Sequence, residues 1–137
     1  MLKAVIVDAS AVSRGLLSTV LTDGSYDVVG TTHTGAQGYL LVQKHQPQIF
    51  CIALDQVQDG SNVVEQIRAN FPKTLVFMMS GEIDAPTLQA SLARGVNGFI
   101  VKPFNADKVL RTIRATVIAM IKKQMGAQAA AVEPQKT

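Results

Sequence analysis

Four side chains that can do chemistry stand just after apolar runs, far apart along the chain. Asp8 follows "KAVIV", Asp55 follows "IFCIAL", Ser80 follows "TLVFMM" and Lys102 follows "GFIV". Brought together, they would offer two carboxylates able to pair with a cation, a hydroxyl able to donate a hydrogen bond, and one ammonium able to neutralise either acid. Two alanines stand among them: Ala9 directly follows Asp8, and Ala53 lies two positions before Asp55. A methyl group does none of this chemistry. What the group can do therefore depends on whether Ala53 or Asp55 faces solvent where the third run ends.

The elements that must position these residues show in the spacing. The four runs and "VVGTT" (28–32) are short and rich in β-branched and large apolar residues. Four of the five are almost uninterrupted, as in strands buried on both faces. Between and after them, apolar residues recur at helical spacing: Val12, Leu16, Leu17 and Val20; Ala36, Tyr39 and Leu40; Val63, Val64, Ile67 and Phe71; Leu88 and Leu92; Val109, Ile113, Val117, Met120 and Ile121. Ser10, Thr34, Asp84 before Pro86, and Asn105 are predicted helix caps, and Asn62 with Glu65 is a predicted capping box. Five strand–helix units in alternation predict a three-layer α/β fold, a parallel sheet with right-handed crossovers and helices on both faces. Ligands of such sheets gather outside the carboxyl ends of the strands. Asp8-Ala9, Ala53 to Asp55, Ser80-Gly81 and Lys102-Pro103 all fall there.

The whole chain sets bounds on this reading. Its 137 residues suffice for one core, and 47% hydrophobic with 17% charged residues is the composition of a folded protein. No apolar stretch reaches the ~20 residues of a membrane span, and Met1-Leu2-Lys3 lacks a signal-peptide pattern, so a cytoplasmic location is expected. A single Cys51 excludes an intrachain disulfide and is expected as a small buried side chain. The net charge of +3 leans on Lys102, Lys108, Arg111, Arg114, Lys122 and Lys123. An apolar stretch separates the last two from Arg111 and Arg114, so a solvated helix face is expected and nucleic acid is not. His33 and His45 lack ligand partners nearby in sequence, and Gly35 and Gly38 lack the spacing of a nucleotide loop.

"VIVDAS", "MMSG", "DG" and "GVNGFIVKPF" resemble, respectively, the V-D-D-S, the strand ending in Thr or Ser, the M-D-G and the A-x-G-[FY]-[LIV]-x-K-P-F of bacterial response regulator receiver domains. The resemblance covers residues 2 to 120 and is most specific at K-P-F. It implies a CheY-like, flavodoxin-like doubly wound (βα)5 sheet of strand order 2-1-3-4-5, and a signalling protein rather than an enzyme. It further implies an aspartate ending the third strand that accepts a phosphoryl group from a kinase, beside two acids ending the first strand that hold Mg²⁺. The family places its acceptor six residues after a proline like Pro47 and 44 after the second acid; both intervals end on Ala53. Asp55 stands two positions too late. "ALDQVQDG" then matches the family's D-x-x-M-P-x-x-D-G with one residue deleted, a change a loop accommodates and a buried strand does not.

The expectation is a degenerate pocket of Asp8, Ala9, Ala53, Asp55, Ser80 and Lys102, with Phe99 at the switch position but lacking a hydroxyl. Asp8 pairs with Lys102, no metal or cofactor is expected, and Asp55 points toward the same region if the chain stays extended. The bland readings are a helix-terminal carboxylate for Asp8, a surface lysine for Lys102, a turn serine for Ser80 and a packed aromatic for Phe99. The implied function is that of a stand-alone pseudo-receiver working by protein contact, independently of aspartate phosphorylation. Its partner would be a sensor kinase, a downstream regulator, or a second copy bound through the last two helices and the strand between them. One alternative is a phosphorylatable regulator with Asp55 as displaced acceptor and Mg²⁺ held by Asp8 with Asp55 or Asp59. Another is a flavodoxin-like small-ligand binder, although no Trp and only two Tyr are available to stack a flavin. The expected domain spans 1–125, followed by a flexible tail over 126–137.

Overall fold

The computed structural model describes residues 1–132, with side chains to residue 126. The elements are β1 (Lys3–Val7), α1 (Ala11–Asp23), β2 (Asp27–Thr32), α2 (Gly35–His45), β3 (Ile49–Ala53), α3 (Leu54–Val57), α4 (Val63–Asn70), β4 (Leu75–Ser80), α5 (Ala85–Arg94), β5 (Gly98–Val101) and α6 (Ala106–Val132). All strand pairs are parallel and the order is β2-β1-β3-β4-β5, the doubly wound sheet that the alternation and the resemblance predict.

Because alternate strand residues face opposite ways, the sheet builds one core on each face. Ala4, Ile6, Ile49, Cys51, Phe77, Met79 and Ile100 pack with Leu17 and Leu21 of α1 and with Val109 and Ile113 of α6. Val5, Val7, Phe50, Ile52, Val76 and Met78 pack with Val42 of α2 and with Val63, Val64 and Ile67 of α4. Ala53 belongs to the first core, at its edge. A Cβ on Gly38 would collide with Val7 and crowd Phe50, so this glycine lets α2 lie close on β1 and β3. Close packing is its role, and no phosphate loop forms there.

Ser10, Thr34, Asp84 and Asn105 each accept a hydrogen bond from the backbone N–H three residues on, as predicted caps should. The expected capping box at Asn62 does not form. Asn62 adopts a left-handed φ of 57° and its side chain makes no cap hydrogen bond, while Glu65 reaches away to Arg94 of α5. The α4 entry is instead tied by Asp59, whose Oδ1 accepts from Ser61 N (2.9 Å) and Ser61 Oγ (2.6 Å). The third strand ends one residue earlier than its apolar run, because Leu54 starts the short α3. Helix α6 continues past Gly126 to Val132, so 126 marks no break in secondary structure; residues 133–137 of the expected tail lie outside the described residues.

Candidate functional site

The parallel register brings the carboxyl ends of four neighbouring strands to one edge. Val7 pairs with Ile52, Ala53 with Met79, and Ser80 with Val101. Asp8 N donates to Thr32 O (3.0 Å) and Lys102 N donates to Ser80 O (2.9 Å), each prolonging a ladder by one residue. Asp8, Ala53, Ser80 and Lys102 therefore sit where the spacing of the apolar runs places them.

Asp8 is only 3% exposed, and each of its carboxylate oxygens accepts a hydrogen bond. Oδ2 accepts from Lys102 Nζ at 2.6 Å across 94 residues of sequence, and Oδ1 accepts from Ser10 N at 2.9 Å. This is the ion pair expected between the two charged ends, and Lys102 keeps 27% of its side chain in solvent. Arg14 also belongs to this group, a residue that the sequence reading passed over. Its Nη1 donates to Asp8 O at 2.6 Å and reaches Ala9 O at 3.4 Å. A signal for it exists: Arg14 stands one helical turn after the cap Ser10, on the part of α1 that looks back to the end of β1. One buried carboxylate thus has a lysine on its oxygens and an arginine on its own backbone carbonyl.

The end of β3 is made differently. Ala53 is 3% exposed and ends the strand with its methyl in the core. The expectation that Asp55 shares its face fails, because the chain stops being extended at Leu54: Asp55 lies exposed in the first turn of α3. That helix is held by Gln56 Oε1, which accepts from Gly35 N at the start of α2 (3.1 Å). Ser80 is almost buried, and its hydroxyl donates to Glu82 O (2.7 Å) and accepts from Glu82 N (3.3 Å), closing the turn that follows β4. Phe99 is half-buried and packs on the core facing α2 and α4. His33 follows β2 and His45 ends α2, so the helix separates them. Burial pushes the Cys51 thiol up to about 12, which keeps it protonated and unreactive at neutral pH.

Magnesium, which the resemblance implies for this fold, does not fit the residues present. Asp8 is paired with Lys102, Ala9 and Ala53 offer no carboxylate, Asp55 stands exposed on α3, and Asp59 Oδ1 is engaged with Ser61. Among the described residues no three His, Cys, Asp or Glu side chains come together as a metal cluster. A groove of 590 Å³ lies along β5 and α6 and reaches the end of β5; Phe99, Val101, Lys102, Lys108, Val109 and Arg111 help to line it. No helix among the described residues is long and apolar enough to cross a membrane.

Comparison with known proteins agrees with this architecture. Residues 4–114 match the model of the response regulator receiver domain. The chemotaxis protein CheY of Listeria monocytogenes is 29% identical over 114 residues, covering 82% of this chain and 96% of that protein. CheY of Bacillus subtilis is 27% identical over 116 residues, covering 84% and 97%. The high-resolution structure of the chemotaxis response regulator CheY4 of Vibrio cholerae superposes with a TM-score of 0.77 at 28% identity, covering 85% of this chain and 98% of that one. The match to the receiver-domain model over residues 4–114, on a parallel sheet of this order, places the chain in the response regulator receiver domain family.

Proposed function

We propose that this receiver signals by protein contact, without accepting a phosphoryl group on an aspartate. The observation that supports the reading is the end of β3, where Ala53, the position to which the resemblance assigns the acceptor, is a buried methyl and the neighbouring Asp55 has turned onto α3. The Asp8–Lys102 pair supports it, since the lysine that would meet an incoming phosphoryl group already neutralises the one acid left. Ser80 is likewise held in its own turn, and Phe99 stays a packed aromatic with no phosphoryl signal to move it. The pocket residues are then structural: Asp8 and Lys102 join the ends of β1 and β5 and fix the loops around them.

The contact surface we assign is the one formed by α5, β5 and α6, where Leu92, Val101, Ile118, Ile121 and Met125 are exposed. It would receive a sensor kinase, a downstream regulator or a second copy of the chain. The phosphorylation claim is tested by incubating the protein with acetyl phosphate and Mg²⁺ and measuring intact mass. No adduct is expected. An adduct that disappears in Asp55→Asn would replace this reading with a displaced acceptor. Size-exclusion chromatography with light scattering on Val101→Glu and Ile121→Glu, beside pulldown with the unchanged chain, tests the surface.

A further inference from the structure

We infer that Glu65 is a shared carboxylate that anchors the C-terminal end of α5 to α4, serving Arg94 in the arrangement seen and able to pass to Arg68. Three observations meet at this point. Glu65 Oε2 accepts from Arg94 Nη1 at 3.2 Å, while its second oxygen, Oε1, is buried without a partner. Arg68, three residues further on the same face of α4, has Nε and Nη2 buried without partners; only its Nη1 is used, on Pro72 O at 3.4 Å. The stem of Arg68 passes directly over Gly95, the left-handed cap of α5 at φ 115°, where any Cβ would strike it. Nε and Nη2 form the side of a guanidinium that grips a carboxylate through two parallel bonds. A buried fork and a buried carboxylate oxygen, both unpaired and one helical turn apart, are complementary groups, and pairing them removes both desolvation costs. Burial also lowers the proton affinity of Arg68, as expected for a guanidinium lacking its anion.

The anchor matters because α5 has little else to hold it. Ser91 is its one buried residue, bonded through Oγ to Met78 Sδ at 3.2 Å. The opposite end of α5, next to the Ser80–Glu82 turn, carries the Asp84 cap and no buried residue. The helix is thus fixed near Gly95, and Glu65 decides how firmly.

Amide hydrogen exchange of residues 85–94, read by mass spectrometry, tests the sharing. Arg94→Met alone is expected to raise exchange by less than about threefold, because Glu65 passes to Arg68, whereas the double variant R68M/R94M and Glu65→Ala each raise it about tenfold. Equal exchange in Arg94→Met and R68M/R94M would overturn the inference, since Arg68 would then take no part. If circular dichroism shows Glu65→Ala unfolded, the comparison of Arg94→Met with R68M/R94M still decides.

Discussion

The carboxyl ends of β1 and β3 lie side by side in the sheet and are finished in opposite ways. At β1 a carboxylate is carried into a nearly closed site and held by Lys102, Ser10 N–H and a carbonyl contact to Arg14. At β3 the strand runs out on a methyl that extends the core, and Asp55, two residues on, is turned to solvent. At β1 a buried charge is met by Lys102, Ser10 and Arg14, and at the end of β3 there is no charge to meet. The two ends differ in kind: the β1–β5 pair joins two strand ends through a charge, whereas β3 ends in the apolar core.

Four experiments press on that contrast. Lys102→Met should do most damage, about 3 kcal/mol by urea denaturation, since it strands a buried carboxylate. The double variant D8N/K102M should recover much of that loss; if the single change is harmless, the ends of β1 and β5 are not joined in the way described. Ala53→Asp should cost about 2 kcal/mol, because it puts a carboxylate into the edge of an apolar core. A neutral result would mean that Lys102 can leave Asp8 for residue 53, and the two ends would then be less distinct. Cys51, two residues earlier on β3, reports on the dryness of the same strand. Burial pushes its folded thiol up to about 12 from an ordinary 9.0, so the unfolded chain loses its proton first and stability falls as pH rises above 9.0. Comparison with Cys51→Ala should show a difference of under about 1 kcal/mol at about pH 9.5, with the native thiol inert to alkylation at neutral pH. Asp55→Asn should change stability by less than about 0.5 kcal/mol, as an exposed position away from any ion pair would.

Much of this was legible from residue order. Uninterrupted apolar runs announced strands buried on both faces, and the alternation with helical spacing left few topologies. Asp8 and Lys102 were legible as partners because each follows an apolar run directly and strand ends in a parallel sheet converge. Asp55 was misplaced because the reading extended strand periodicity one residue too far; Leu54 continues the apolar run but already belongs to α3. Asn62 carried the composition of a capping box, yet its left-handed backbone withdrew the side chain, and Glu65 had a stronger partner in Arg94. Arg14 was missed for another reason: its partners are backbone carbonyls, which every residue has and no motif marks.

Helix α6 makes inward contacts through Val109, Ile113, Val117 and Met120, and the described side chains beyond Met120 are all exposed. The axis nevertheless runs on to Val132, about 18 Å further at 1.5 Å per residue. Such a helix behaves as a pointer fixed at one end. A tilt of about 10° where it leaves the core, too small to disturb the packing at Ile113, would carry its far end through about 3 Å.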